Sequence, residues 1–207
     1  MKNFYLATIV LIAAMLLTLP ATAQANLLNN PGFEANSGAG TVPDWWSKEA
    51  GSWAGVEGWA AHTDSWGYAT YPMSWGSPGT NYLLQDVSGI VGGASYNYSI
   101  WTLRDGGDST GTYYMKVGWY DNTNALLSEV SQNITLDPAT WGQQNFSGLV
   151  APGSAVQAKV GFGTVTASLA GKWDDADFSP IPEPASMLLL GSGLFGLLVL
   201  NKNRSSK

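Results

Sequence analysis

The 207-residue chain reads as all-β: an antiparallel jelly-roll β-sandwich with an N-terminal signal helix and a C-terminal membrane helix. Three observations predict this. From Asn81 onward, short segments alternate apolar and polar residues between turn residues, the period-2 pattern of half-buried strands. No amphipathic helix interrupts them, so the strands lack crossover helices and form a sandwich or jelly roll. Long uncharged apolar stretches stand at the two ends.

The first element is the segment up to Ala25. Lys2 supplies a positive start, Phe4 to Leu19 an apolar run, and Ala21-Thr22-Ala23 and Ala23-Gln24-Ala25 two A-x-A cleavage patterns. Cleavage by signal peptidase is expected after Ala25, with Ala23 as the alternative. Residues 26–180 follow as one domain, of a size that can bury a sizeable core. Between Asn26 and Ile181 stand fourteen Asp and Glu against five Lys and Arg, a balance of −9. Neutralising phosphates needs clustered cations, so no nucleic-acid partner is expected. The absence of cysteine leaves core packing or a metal to hold an exported fold.

Six of the ten tryptophans lie between Trp45 and Trp75 amid Gly, Ser and Pro, which reads as loops and short strands. The regular strands come next. YNYSIWTL sets Tyr96, Tyr98 and Ile100 on one face and Trp101 and Leu103 on the other. RDGGDSTG reads as a hairpin loop. YYMKVGWY sets Met115, Val117 and Trp119 against Tyr114, Lys116 and Tyr120. DNTN is a turn and LLSEVSQNITL the next strand. WGQQNFSGLV places Phe146 and Val150 together, and AVQAKVGFG points Val156, Ala158, Val160 and Phe162 inward. In GKWDDADF, alternation places Asp174 inward with Ala176 and Phe178.

The last element, residues 181–207, holds Pro182-Glu183-Pro184, then the uncharged run Ala185 to Leu200, then Lys202, Arg204 and Lys207. The run is short for a bilayer crossing of about 20 residues. Its glycines suit membrane helices, and the basic tail favours the cytoplasmic side.

Two resemblances follow from these residues. NLLNNPGFE at Asn26 to Glu34, YLLQDVSGIVGGASYNYSIW, WGQQNFSGLVAPGSAVQAKVGF and GKWDDADF resemble, in order, carbohydrate-binding modules of families four and nine, within the galactose-binding-like jelly rolls. The stretch from Ala35 to Thr80 departs from that pattern. In such jelly rolls a Glu after Gly-Phe and an Asp in the last strand often share a structural calcium, which implies Glu34 and Asp174 here. The C-terminus resembles the PEP-CTERM sorting signal, with a looser basic cluster. That resemblance implies an exosortase as processing partner, transient anchoring in the inner membrane, and delivery to the cell surface or extracellular matrix.

Sugar binding needs flat aromatic faces and orienting polar groups. Trp45, Trp46, Trp53, Trp59, Trp66, Trp75, Trp101 and Tyr114 could supply the faces, and Asp64, Gln85 and Lys116 the hydrogen bonds. Large rings more often fill cores than bind ligands, so burial decides among them. A bare inward Asp174 is costly unless cation-bound or hydrogen-bonded to backbone amides. Asp105-Gly-Gly-Asp108 and Asp121-Asn122 read as turns. No enzyme is expected. His62 is the single histidine, no G-x-S-x-G elbow is present, and no motif marks Glu49 and Glu57 as a glycosidase pair. The function implied is non-catalytic binding of extracellular polysaccharide. The alternatives are a structural surface or matrix protein without a specific sugar and, behind it, a jelly-roll polysaccharide-active enzyme.

Overall fold

The computed structural model of the chain describes residues 25–48, 54–71, 81–106, 112–166 and 170–182. The signal segment before Ala25, Trp53, Trp75, Glu183, Pro184 and Ala185 to Leu200 lie outside the described residues. Among those described, no helix is long and apolar enough to cross a membrane.

The described residues form ten strands: β1 (Ser47–Lys48), β2 (Ala54–Glu57), β3 (Gly67–Thr70), β4 (Asn81–Ser88), β5 (Ser95–Arg104), β6 (Thr112–Tyr120), β7 (Leu126–Ile134), β8 (Gly142–Val150), β9 (Gln157–Thr166) and β10 (Gly171–Pro180). They form two antiparallel five-stranded sheets, β1-β4-β9-β6-β7 and β2-β3-β10-β5-β8. Alternation on β5, β6 and β9 drives the arrangement. Tyr96, Tyr98, Ile100, Met115, Val117, Trp119, Val160 and Phe162 are all essentially buried between the sheets. The jelly-roll sandwich is therefore the fold. Aromatic rings fill it: Tyr96 stacks on Phe178 at 5.3 Å, and Phe162 lies 4.8 Å from Trp173. Rings of this size dominate core energetics.

Several polar groups inside are paired, although the buried Tyr68 hydroxyl and Asn81 Oδ1 have no hydrogen-bond partner among the described residues. Thr70 and Thr164 hydroxyls meet at 2.8 Å across the two sheets, and Trp173 Nε1 donates to Thr70 at 2.9 Å. The N-terminal segment is tied to β10 by Asn26, whose amide donates to the Ala176 carbonyl and accepts from the Phe178 and Leu28 N–H groups. Phe33 takes a left-handed φ of 58° and enters the core fully.

Several expectations are corrected here. RDGGDSTG does not close a hairpin, because β5 and β6 belong to different sheets. Both strands have an apolar face, and burying the two against each other outweighs pairing them edge to edge. Phe146 is buried but Val150 is 62% exposed. A register shift opposite Tyr96–Tyr98, with Gly148 at φ 69°, inserts one residue and reverses the phase. Val156 precedes β9 and is also exposed. Asp174 does not share a face with Ala176 and Phe178. It is the register partner of Trp101, and a bulge before Asp177 turns Ala176 and Phe178 inward instead.

Candidate functional site

Directly opposite residues in a ladder share a face, so register defines the outer face of the first sheet. One row runs Leu84, Gly161, Lys116, Ser131. The next runs Tyr82, Gly163, Tyr114, Asn133, and on the other side Asp86, Lys159, Gly118, Glu129. Tyr120 lies one row further. The centre of this face has three glycines and its flanks have three tyrosines.

The glycines let neighbouring side chains lie flat. A Cβ on Gly161 would collide with Leu84 Cδ2, and one on Gly118 would sit 3.1 Å from the Tyr120 ring. Gly163 answers a different need, since a Cβ there would strike the Asn81 carbonyl. Tyr82 and Tyr114 flank it with ring centroids 6.1 Å apart. Lys116 Nζ sits 4.2 Å over the Tyr82 ring. Lys159 pairs with Asp86 at 3.4 Å and approaches Tyr120 at 5.4 Å. At the β1 edge, Trp45 is 64% exposed with a left-handed φ of 67°, two residues before Ser47, the partner of Leu84. An exposed tryptophan on strained backbone directs attention to function. The result is a shallow, ring-lined, partly cationic surface able to stack a pyranose and orient its hydroxyls.

The outer face of the second sheet differs. Here the loop 61–66 folds over Trp101 and Asp174. Asp174 Oδ2 accepts from the His62 and Thr63 amides at 2.7 and 3.1 Å, and Oδ1 from the Asp175 amide at 2.8 Å. Glu34 Oε1 accepts from the Ser65 and Trp66 amides at 3.1 and 2.8 Å. Asp175 accepts from the Thr63 hydroxyl at 2.8 Å and meets His62 Nδ1 at 2.7 Å. The imidazole stacks on Trp101 at 4.4 Å and tilts against Trp141 at 5.0 Å. Burial pushes the Asp174 carboxyl up to about 7, against the downward pull of its amide donors and with a further upward push from Asp175.

Other candidates are dispersed. Trp46 is in the core, its ring 5.3 Å from Phe33 and its Nε1 donating to the Asn30 carbonyl. Gln85 is buried and bonds both backbone groups of Asn29. Trp59 is 45% exposed on the second-sheet side, with Lys172 Nζ 4.9 Å from its ring. Trp66, at the end of the loop, is half-buried against the core, and Asp64 is exposed in the loop with φ 53°. Sequence reasoning missed Tyr82, Tyr120 and the three glycines. Alternation of Y-L-L-Q-D-V with the strand G-W-Y was the signal that could have found the tyrosines.

Among the described residues, no cluster of three or more His, Cys, Asp or Glu is arranged to hold a metal. Glu34 and Asp174 do converge, with Asp175, around Gly32. A Cβ there would lie 3.6 Å from Asp175 Oδ1, 3.8 Å from Asp174 Oδ1 and 4.0 Å from Glu34 Cγ. Carboxylate oxygens of Asp174 and Asp175 and the Glu34 side chain thus come within ordinary contact range of one backbone position, and oxygen donors are the ligands a hard cation takes.

Sheet order and register thus define a jelly-roll β-sandwich. Solved structures agree on the fold. The CBM22-1 xylan-binding domain from Paenibacillus barcinonensis Xyn10C matches with TM-score 0.57 and 15% identity, over 79% of this chain and 99% of that one. TmCBM61, solved with β-1,4-galactotriose, matches with TM-score 0.52 and 18% identity, over 76% and 99%. The enzymatically active domain of bacteriophage CBA120 tailspike protein 4 matches with TM-score 0.60 and 12% identity, over 75% of this chain but only 21% of that one. No curated protein matches the chain. Residues 180–204 match the PEP-CTERM protein-sorting motif, so the chain carries that motif after its sandwich.

Proposed function

We propose that this is an exported polysaccharide-binding protein that reaches the cell surface or extracellular matrix by exosortase sorting and binds glycan without catalysis. The observation that carries the binding half is the glycine-floored, tyrosine-flanked outer face of the first sheet, with Trp45, Tyr82, Tyr114, Lys116 and Tyr120 around it. The sorting motif carries the other half. Signal peptidase acting after Ala25, which is exposed immediately before the sandwich, and transient residence in the inner membrane belong to the same reading, as does kinship with module families four and nine.

A structural calcium at Glu34 and Asp174, with Asp175 beside them, is also part of the proposal. Its support is the approach of the three acidic side chains to one another near Gly32 and the cost of burying the Asp174 charge. It would hold loop 61–66 rather than touch glycan.

Three experiments test this. Intact mass of protein from cells and medium, with and without the exosortase, should show a species ending near Pro182 only when the exosortase is present; a tail persisting through Lys207 defeats the sorting half. Glycan-array binding by the wild-type chain and by Tyr114→Ala tests the other half, and an unaltered array profile in the variant would count against this face. Melting with excess calcium against EDTA tests the cation, and coincident curves would remove it.

A further inference from the structure

The geometry points to Lys116 as a carboxylate-recognition residue, so that the glycan taken by the first-sheet face carries uronic-acid-type carboxylates. This rests on the glycan-binding reading of that face and deepens it.

The domain is acidic, and its few cations are nearly all committed. Lys159 pairs with Asp86 at 3.4 Å and Lys172 with Asp105 at 3.3 Å. Lys48 donates to the Ala54 carbonyl at 3.1 Å. Lys116 is different. Its ammonium lies over the Tyr82 ring at 4.2 Å, and among the described residues it has no carboxylate or other oxygen acceptor. A ring face attracts the charge but accepts none of the three N–H bonds an ammonium offers.

Position supplies the second half of the argument. Lys116 stands mid-row between Gly161 and Ser131, and Tyr114 is its same-face neighbour two residues along β6. A pyranose lying on Tyr114 over the Gly163 floor therefore presents a ring substituent to Nζ. A neutral hydroxyl would use one donor, whereas a carboxylate forms a charge-assisted pair of roughly twice the strength. Asp86 on this face is already paired with Lys159, and Glu129 lies a row away opposite Gly118. The net negative charge of the domain gives no long-range attraction to an acidic polymer, so recognition has to be local, at this one cation.

The test uses the full chain in nonionic detergent with EDTA, so that calcium cannot bridge acidic chains. Affinity electrophoresis is run in gels containing polygalacturonate or alginate, and in gels containing xylan or mixed-linkage β-glucan. Lys116→Met should weaken binding to the acidic polymers about tenfold or more, with Lys116→Arg retaining it. Melting curves establish that both variants fold. Acidic-polymer binding indifferent to Lys116→Met, or binding to neutral glycans alone, overturns this inference while leaving glycan binding in place. Failure of the wild type to bind any of the four polymers overturns the glycan-binding reading and this inference with it.

Discussion

The two outer faces of the sandwich carry aromatic residues in similar number, but one set is left open and the other is packed beneath a loop; on the proposed reading the open set binds glycan. On the first sheet, Tyr82, Tyr114 and Tyr120 lie over a floor of glycines with no loop described above them. On the second, Trp101 is covered by His62, whose loop is held down by Glu34, Asp174 and Asp175. An aromatic ring becomes a binding surface or a packing surface according to whether backbone amides nearby find acceptors beneath them. Three carboxylates decide this on the second sheet, whereas in the rows of the first Asp86 pairs with Lys159 and, among the described residues, no carboxylate of those rows is seen to hold a loop amide.

That comparison breaks most sharply at Asp174. Asp174→Leu leaves the His62, Thr63 and Asp175 amides without their acceptor. We expect a loss of about 3 kcal/mol in chemical denaturation, together with new proteolytic cleavage within loop 61–66. Unchanged stability would mean that the acids do not hold the loop.

A pH titration examines the same residue without disturbing its shape. The folded Asp174 holds its proton up to about 7, whereas in the unfolded chain it gives it up near the ordinary aspartate value of 3.8. The native state thus binds more protons between those values, so this contribution to stability falls as pH rises through that window and levels off above it. The lowered carboxyls of Asp121 and Asp137, each held down by hydrogen bonds from its own turn, act the other way and only at pH below the ordinary carboxylate range. Urea midpoints measured in EDTA should fall from pH 4 to 7 in the wild type. Asp174→Asn should flatten the trend, and a parallel slope in the variant would assign it elsewhere.

The aromatic pair Tyr114 and Trp101 separates the two uses directly. Tyr114→Ala should cost about tenfold in glycan affinity with little change in melting temperature, and Trp101→Ala about 1.5 kcal/mol of stability with affinity retained. If the two variants exchange these phenotypes, the binding face has been assigned to the wrong sheet. The smallest effect belongs to Gly118→Ala. Its Cβ presses on a movable ring, so stability should shift by less than about 1 kcal/mol. Glycan affinity should still drop measurably as Tyr120 lifts from the sheet.

Much of this was legible from the chain. Alternation in YNYSIWTL and YYMKVGWY separated buried from outward residues on β5 and β6, and it singled out Trp101 and Tyr114 as outward. Glu34 and Asp174 were marked as a pair by their place in the resemblance, and they do act on one loop. Bulges were not legible, because one inserted residue changes the phase without changing composition. Val150 and Asp174 were therefore assigned to the wrong face. Nor could alternation say which sheet a strand joins, so the loop between β5 and β6 passed for a hairpin when it crosses from one sheet to the other.

By itself the sequence determined the class of fold, the apolar side of each long strand and the sorting motif at the end. Each is set by residues close together along the chain, through period, turn chemistry and local order. Only the tertiary structure decided that Trp46 is core, that Trp101 is a packing surface and that Tyr82 joins Tyr114. Those outcomes depend on which strands become neighbours and which loops fold back over them. Pairings of that kind join residues far apart in sequence, and no local pattern records them.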